Sequence, residues 1–272
     1  MTQEIRTRIV AIINLTPDSF SDGGKYAEPE SAVSAMENMV EQGADVLDIG
    51  AESTRPGART LSHEEEWERL SPILSLAKSR FPHTAISVDT RNPTTAARAI
   101  DCGVDWINDV NGGKDPQMLA VIRSASCKYV VMHSLTVPAN PKEVLHDSID
   151  VVTSLRSWAE KRMQDLHDAG IAKERIILDP GIGFGKTAQQ SWDILRNIPK
   201  LADIDAPMLV GHSRKSFLKL VTEKDAKDRD LEGSMISAWL VRNKISYLRV
   251  HDVVATKRAI AVGMQLQERL NA

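Results

Sequence analysis

Eight short apolar runs are spread along the chain. Each is largely continuous rather than alternating with polar residues, which is typical of strands buried on both faces of a parallel sheet. The predicted strands are RIVAIIN (8–14), ADVLDIG (44–50), AISVD (85–89), DWIND (105–109), KYVVMH (128–133), RIILD (175–179), PMLVG (207–211) and YLRVH (247–251).

Longer stretches with helical character lie between these runs. Residues 31–43 end at a glycine that suits a helix C-terminus, and residues 64–80 begin with three glutamates that suit a helix N-terminus. The predicted helices cover 31–43, 64–80, 94–103, 116–125, 147–170, 190–198, 234–243 and 254–270. Strands that alternate with helices in this way predict a parallel sheet.

The length of the chain narrows the fold class. For 272 residues, the alternation favours a single α/β domain over residues 1–272, folded as a closed (β/α)8 TIM barrel. A doubly wound open sheet is the alternative. The densely charged run KLVTEKDAKDRDLEGS (219–234) has nearly balanced signs, so we expect a solvated loop that interrupts the seventh helical segment.

The overall charge excludes some classes of partner. A net charge of -3 and a pI near 6.2 argue against general nucleic-acid binding, so any bound anion requires a local cluster of cations. The start of the chain lacks the apolar core of a signal peptide, and no run of 18 apolar residues occurs. Cys102 and Cys127 have no metal-type spacing, and we expect two core thiols. These features predict a cytoplasmic protein with no membrane partner.

Polar residues stand where the apolar runs end. They are Asn14, Asp48, Asp89, Asn108, His133, Asp179, the segment His212–Lys215, Arg249 and His251. In a TIM barrel the C-terminal ends of the strands surround the active site. A helix cap explains a single Asp or Asn equally well, but it does not explain Lys, Arg and His together at two strand ends. We therefore predict an active site there.

The last strand carries two groups that suit an anion. Arg249 and His251 are two residues apart in RVHDV, so an extended backbone projects them to the same side. A zinc site at His251 is the alternative, but the sequence has no neighbouring HxH or HxxxH partner for it.

Two early loops also have functional character. The loop 14–26 (NLTPDSFSDGGKY) is long, contains glycine and carries Phe20, as is typical of a mobile lid at a barrel mouth. The loop 50–60 (GAESTRPGART) presents Arg55, whose planar fork suits phosphate.

Two later loops suggest ligand contacts. DPGIGFGKT (179–187) nearly matches the nucleotide loop GxxxxGK[ST], but Pro180 replaces the required first glycine, so we reject a nucleotide site. Its glycines instead permit a flat ligand beside Asp179 and Phe184. In GHSRKS (211–216), we expect Ser213 to cap a helix whose positive N-terminus binds an anion. A surface lysine at 215 is the alternative.

Seven motifs between residues 8 and 260 resemble dihydropteroate synthases of the pterin-binding family. They are INLTPDSFSDGG, ESTRPGA, SVDT, IND, LDPGIGFGK, SRKS and RVHDV, in the family's order. The resemblance implies a (β/α)8 barrel and an alkyl-group transferase of folate biosynthesis, which is a sulfonamide target and a homodimer. It implies Mg²⁺-assisted condensation of 6-hydroxymethyl-7,8-dihydropterin pyrophosphate with p-aminobenzoate, giving 7,8-dihydropteroate and pyrophosphate. A methyltetrahydrofolate-dependent methyltransferase and a non-catalytic pterin-binding homologue are the alternatives.

The resemblance also implies a role for particular residues. Those expected to bind the pterin are Asp89, Asn108, Asp179, Gly183, Phe184 and Lys215. Those expected to bind pyrophosphate are Asn14, Thr54, Arg55, Arg249 and His251, with Asn14 as the Mg²⁺ ligand. Those expected to bind p-aminobenzoate are Phe20, Pro56, Lys215 and Ser216. Asp18, Asp22 and Lys215 are the expected catalytic residues, in a reaction where pyrophosphate leaves before the arylamine attacks. The role of His212 stays open.

Overall fold

A computed structural model describes residues 6–15, 29–54 and 57–268. Its strands are β1 (Arg8–Asn14), β2 (Val46–Gly50), β3 (Ala85–Asp89), β4 (Trp106–Asp109), β5 (Lys128–Met132), β6 (Ile176–Asp179), β7 (Leu209–Gly211) and β8 (Tyr247–Val250). All eight predicted strands are confirmed. Strands that are buried on both faces could be predicted because each forms a continuous apolar run in the sequence.

Helices follow the strands outside the sheet. They are α1 (Pro29–Gln42), α2 (His63–Arg80), α3 (Pro93–Asp101), α4 (Pro116–Ser124), α5 (Val151–Asp168), α6 (Ala188–Arg196), α7 (Ile198–Ala202), α8 (Asp230–Arg242) and α9 (Val253–Glu268). The short α7 was not predicted as a separate helix. Asn197 ends α6 and Pro199 follows at the start of α7, where a proline lacks the N–H that would continue the first helix.

The eight strands form one parallel sheet in the order β6-β5-β4-β3-β2-β1-β8-β7. The two outer strands of that order meet through a parallel bridge between Leu178 and Met208, and the Leu178 N–H donates to the Pro207 carbonyl at 3.0 Å. The sheet is therefore closed. The predicted (β/α)8 barrel is confirmed and the open doubly wound sheet is excluded, since an open sheet leaves its edge strands unpaired.

The barrel interior changes from apolar to polar along its axis. One interior cluster consists of Val10, Val46, Trp106, Val130, Ile177, Leu209 and Tyr247. Strand side chains alternate, so the residues two positions later also point inward, closer to the C-terminal ends. Four of these seven residues are polar, namely Asp48, Asn108, Asp179 and Arg249, and the other three are Ile12, Met132 and Gly211. The fold thus gathers polar side chains from distant parts of the chain at one end of the barrel.

The rest of the chain differs from the predictions at the end of the charged run 219–234 and at one cysteine. The run 219–234 is exposed over 219–228, apart from half-buried Thr222, as the predicted solvated loop requires. Its last residues differ, because α8 begins at Asp230 and Arg229 is only 4% exposed, donating to the Lys224 carbonyl at 2.8 Å. Cys127 is buried as expected, whereas Cys102 is exposed, so the prediction of two core thiols was wrong for Cys102. No helix in the described ranges is long and apolar enough to cross a membrane.

Candidate active site

A half-buried arginine joins two carboxylates at the C-terminal end of the barrel. Arg249 Nε donates to Asp48 Oδ2 at 2.6 Å, and Arg249 Nη2 donates to Asp89 Oδ2 at 2.6 Å. The guanidinium side chain is 18% exposed, the Asp48 side chain 0% and the Asp89 side chain 17%. Burial opposes the charge on Arg249, but the two carboxylates outweigh it and raise the pKa of Arg249. The charge on Arg249 is therefore permanent.

Asp48 connects this arginine to two further strands. Its Oδ1 accepts from Ser87 Oγ at 2.5 Å, and its Oδ2 also accepts from Asn108 Nδ2 at 3.1 Å. The Asp48 carboxylate is thus satisfied entirely by protein donors. Sequence reasoning noted Asp48 only as the end of a strand and assigned it no role. A polar residue in the middle of the buried run VLDIG was the available signal, because a buried carboxylate needs partners.

Asp89 is the second carboxylate that Arg249 binds. Burial raises the pKa of Asp89 to about 7; the Arg249 guanidinium opposes this rise, and the nearby Asp48 carboxylate adds to it. Asp89 Oδ1 has no hydrogen-bond partner within the described part of the chain. Asp89 therefore presents an unpaired acceptor whose charge changes near neutral pH.

Asp179 lies on the opposite wall of the barrel mouth, at the end of β6. It is 4% exposed, and its Oδ1 accepts from the Gly181 N–H at 2.7 Å. Gly181 has φ +65°, and a Cβ there would lie 2.0 Å from the His133 carbonyl oxygen, so this turn requires glycine. Burial raises the pKa of Asp179, while the nearby Lys215 and Arg249 cations lower it. The second carboxylate oxygen, Oδ2, has no donor among the described residues.

Lys215 reaches the same space from the loop after β7. Its Nζ donates to the Ile182 carbonyl at 2.7 Å and lies 5.0 Å from the centre of the Phe184 ring. Burial lowers the pKa of Lys215 to about 8, against the attraction of Asp179. Gly183 borders the lysine, since a Cβ there would lie 3.8 Å from Lys215 Cδ. The alternative of a surface lysine is excluded.

The loop after β7 does not form the predicted helix cap. The Ser213 hydroxyl contacts His251 Nδ1 at 3.0 Å and accepts from the His251 N–H at 3.3 Å, so it binds the end of β8 instead. The segment that follows is a short 3-10 helix, Ser216–Leu220, with no side-chain cap. Ser216 is exposed, and Arg214 pairs with Asp230 at 2.6 Å. The prediction that Ser213 caps an anion-binding helix was wrong.

His212 has a structural position. Its side chain is fully buried, and its Nε2 contacts the Gly233 carbonyl at 3.0 Å and Ser237 Oγ at 2.9 Å. Burial lowers the pKa of His212 to about 4, so the imidazole is neutral at physiological pH. It joins β7 to α8 and leaves the barrel mouth to Lys215.

The first two predicted loops are described in part. Asn14 is half-buried at the end of β1, and Thr54 accepts from the Ala139 N–H through its carbonyl at 3.2 Å. Glu52 receives two hydrogen bonds from Arg91, at 2.8 and 3.0 Å, an anchor that sequence reasoning missed. The predicted site residues Asp18, Phe20, Asp22, Arg55 and Pro56 lie outside the described residues.

The chain is similar to known proteins over most of its length. Residues 10–251 match the family described as pterin binding enzymes. The chain belongs to that family. A folate synthesis bifunctional protein of Chlamydia caviae is 38% identical over 94% of this chain, and the chain spans 58% of that relative's length.

Two solved structures share the fold of this pterin binding enzyme. The dihydropteroate synthase of Anaplasma phagocytophilum, with bound 6-hydroxymethylpterin-monophosphate, has a TM-score of 0.88 at 37% identity and covers 96% of this chain and 99% of its own. The dihydropteroate synthase of Yersinia pestis, in a sulfonamide complex, has a TM-score of 0.90 at 31% identity, with coverages of 97% and 95%. Both likenesses extend over nearly the whole chain.

Proposed function

We propose that the protein is a dihydropteroate synthase, which condenses 6-hydroxymethyl-7,8-dihydropterin pyrophosphate with p-aminobenzoate. One observation supports this most directly. Asp179, with an unused carboxylate oxygen, and the half-buried cations Lys215 and Arg249 lie at the same end of one barrel. This end of the barrel therefore offers an acceptor for a flat heterocycle with adjacent N–H donors and cations for a diphosphate group on the same substrate.

The pterin slot consists of acceptors and one donor from four strands or strand ends. Asp179 Oδ2 accepts from the pyrimidinone edge of the ring, and Asp89 and Asn108 pair with the remaining ring nitrogens. Lys215 faces the carbonyl side, and Phe184 and Gly183 cover a face of the ring. Each ligand group left unpaired in such a slot costs about 1–3 kcal/mol, which accounts for specificity.

The diphosphate position follows from the donors that the protein leaves available. Arg249 uses Nε and Nη2 on carboxylates, while its Nη1 has no partner in the described ranges. We place the diphosphate on that nitrogen and assign His251, Asn14 and Thr54 to it as further contacts. Arg55, which lies outside the described residues, is assigned to it from the sequence motif alone. Because Asp48 and Asp89 hold the guanidinium, its position is set before the substrate binds.

A magnesium ion fits this arrangement. The described part of the chain holds no group of three His, Cys, Asp or Glu side chains that would bind a metal alone. Mg²⁺ retains several waters and takes phosphate oxygens, so the side-chain carbonyl of Asn14 suffices as the protein ligand. Asn14 would hold the ion, which would supply positive charge to offset that of the leaving diphosphate.

The chemistry needs little acid–base assistance from the protein. The bond from the pterin methylene to oxygen breaks, its electron pair leaves with pyrophosphate, and the dihydropterin ring delocalises the resulting cation. The arylamine is uncharged near neutral pH, so its nitrogen attacks and then loses a proton without a strong base.

The residues of the site have separate roles in this reaction. Asp18 and Asp22 stabilise the positive charge, and Lys215 binds the pterin. Phe20, Pro56, Lys215 and Ser216 form the p-aminobenzoate site. Positioning and charge stabilisation supply the rate.

Turnover tests the proposal directly. The purified protein, with Mg²⁺, the pterin pyrophosphate and p-aminobenzoate, is expected to release pyrophosphate and form dihydropteroate. Pterin binding without release would favour the non-catalytic homologue. Methyl transfer from methyltetrahydrofolate would favour the methyltransferase. Sulfonamides are expected to compete with p-aminobenzoate.

The pH dependence of pterin binding reports on two side chains. We expect affinity to fall below pH 7 by up to about tenfold per unit, because Asp89, whose pKa burial raises to about 7, loses its negative charge there. We expect a second fall above pH 8, because Lys215, whose pKa burial lowers to about 8, becomes neutral. Calorimetric titration between pH 5.5 and 9.5 measures both limbs. Asp89→Asn should remove the acid limb and Lys215→Arg the basic limb; limbs that persist in both variants would contradict these assignments.

We also propose a homodimer that uses α8 and α9. Leu231, Met235 and Trp239 recur every four residues along α8 and are 57%, 64% and 37% exposed, and Val262 and Leu266 are similarly exposed on α9. A contiguous apolar face of this kind is typical of an interface between subunits. Sedimentation equilibrium is expected to give a dimer that Met235→Glu dissociates. Ile149→Glu, on an exposed apolar residue before α5, is the matched control and should leave the dimer intact.

We propose a cytoplasmic location as well. Cys102 and Cys127 are both free, and Cys102 is exposed. An exposed thiol without a disulfide partner suits a reducing compartment. Cell fractionation with an antibody to the protein tests this.

A further inference from the structure

Lys186 is a buried lysine bound only to neutral acceptors. It is 5% exposed, and its Nζ lies 2.9 Å from the Gly181 carbonyl, 2.9 Å from the Phe184 carbonyl, and 2.9 and 3.3 Å from the Nδ1 and carbonyl oxygen of His133. Among the described residues it has no carboxylate within ion-pair distance. Burying a lysine has a desolvation cost, so we expect its hydrogen bonds to have a role that an apolar residue at this position would not fill.

The imidazole of His133 is an acceptor in this cluster. Burial lowers the pKa of His133 to about 3, and the neighbouring Lys186 charge contributes to the fall, so the ring is neutral. Nδ1 then accepts from the lysine. The edge of Trp158 packs against the ring with centroids 5.1 Å apart, which fixes its orientation. Burial also lowers the pKa of Lys186 to about 7.

Lys186 binds the carbonyls at the two ends of the loop 181–184, and residues of this loop contact Asp179 and Lys215 in the pterin slot. Gly181 gives its N–H to Asp179 Oδ1 at 2.7 Å, and Ile182 gives its carbonyl to Lys215 at 2.7 Å. The Phe184 ring lies 5.0 Å from Lys215 Nζ. One ammonium group therefore ties the loop 181–184 to the end of β5, and the same loop sets the separation of Asp179, Phe184 and Lys215.

We propose that Lys186 is a positioning residue for the pterin ring. This inference rests on the proposed function, since it assigns a further residue to the same site. Lys186 does not touch the ring. Through four hydrogen-bond acceptors it holds the loop that orients the Asp179 carboxylate and carries the Phe184 face. The lysine of the near-nucleotide motif GFGKT thus acts on the protein backbone and not on a phosphate.

The position of the loop makes a selective effect possible. The proposed pterin contacts come from β3, β4, β6 and the loops after β6 and β7, whereas the proposed diphosphate contacts come from β1, the end of β8 and the loop after β2. Of these segments, within the described part of the chain, only the loop after β6 is held by Lys186. A loss of general stability would weaken both ligands, because both sites share one barrel. Loosening the loop 181–184 alone should weaken the pterin only.

Lys186→Met is the variant that tests this, because it keeps the length of the side chain and removes the donors. We expect the Kd for 6-hydroxymethyl-7,8-dihydropterin to rise about tenfold, the loss of one or two hydrogen bonds, while the Kd for inorganic pyrophosphate with Mg²⁺ changes less than about twofold. KM for the pterin substrate should rise more than kcat falls. Lys114→Met is the matched control, because Lys114 also binds a carbonyl beyond β5, that of Ser134 at 2.6 Å, without touching the loop.

A second variant tests the same role independently, in case Lys186→Met does not fold. His133→Phe keeps the ring against Trp158 but removes the Nδ1 acceptor, and it should raise the pterin Kd about threefold with the same selectivity. Circular dichroism and thermal melting check both folds. Unchanged pterin affinity in folded variants, or equal losses for pterin and pyrophosphate, would overturn the role of Lys186 alone. Wild-type protein that does not bind the pterin would overturn the proposed function first, and the inference with it.

Discussion

Asp179→Asn is expected to raise the Kd for the dihydropterin at least about a hundredfold, because hydrogen bonds to a charged acceptor contribute about 1.5–3 kcal/mol each and the ring edge makes two. The asparagine retains the Oδ1 acceptor for Gly181 and replaces Oδ2 by an amino group. That amino group is a donor, so it cannot accept hydrogen bonds from the N–H groups of the ring. Isothermal titration calorimetry with the free pterin measures the loss.

The fold of this variant should survive. Asp179 is buried and burial raises its pKa, so removing the charge relieves a desolvation cost and the melting temperature should change little. Asp105→Asn is the matched control. Asp105 precedes β4 at the opposite end of the barrel, where its Oδ2 accepts from the Ile86 N–H at 2.8 Å. The control should retain pterin affinity; tight binding by folded Asp179→Asn would remove Asp179 from the pterin slot.

The fold was largely predictable from the sequence because its signals are local. β1 and β3 begin and end where the apolar runs do, and the other six strands are shorter than their runs by one or two residues at one end. The register that brings the strand ends together follows from closure of the barrel. A list of strand ends therefore already contained Asp89, Asn108, Asp179 and Arg249 as neighbours.

The partners of those residues were not predictable in the same way. Arg249 lies 201 residues from Asp48 and 160 from Asp89, and no local pattern indicates that one guanidinium will join both. At Ser213 a local rule predicted a helix cap, but the hydroxyl binds His251, 38 residues away, because β7 and β8 are adjacent in the barrel. Lys186 was considered only as a phosphate-binding lysine, since its acceptors at His133 are 53 residues distant.

Arg249→Ala has the second large expected effect, and it concerns two properties at once. The Kd for Mg²⁺-pyrophosphate should rise at least about thirtyfold, because a charge-assisted contact is lost. The free energy of unfolding should fall by about 3 kcal/mol, because Asp48, whose side chain is 0% exposed, would lose its ion-pair partner. Chemical denaturation measures the second quantity and calorimetry the first.

The double variant Arg249→Ala/Asp48→Asn separates these two effects. Neutralising Asp48 removes the unpaired buried charge, so the double variant should regain most of the lost stability while pyrophosphate binding stays weak. The pterin supplies a further discriminator. Arg249 lowers the pKa of Asp89, so its removal should move the acid limb of pterin binding to higher pH, with less than about fivefold loss at each variant's optimum. If pyrophosphate binding returned together with stability, or if pterin and pyrophosphate weakened equally at those optima, Arg249 would be a structural residue and the diphosphate would have to bind elsewhere in the barrel mouth.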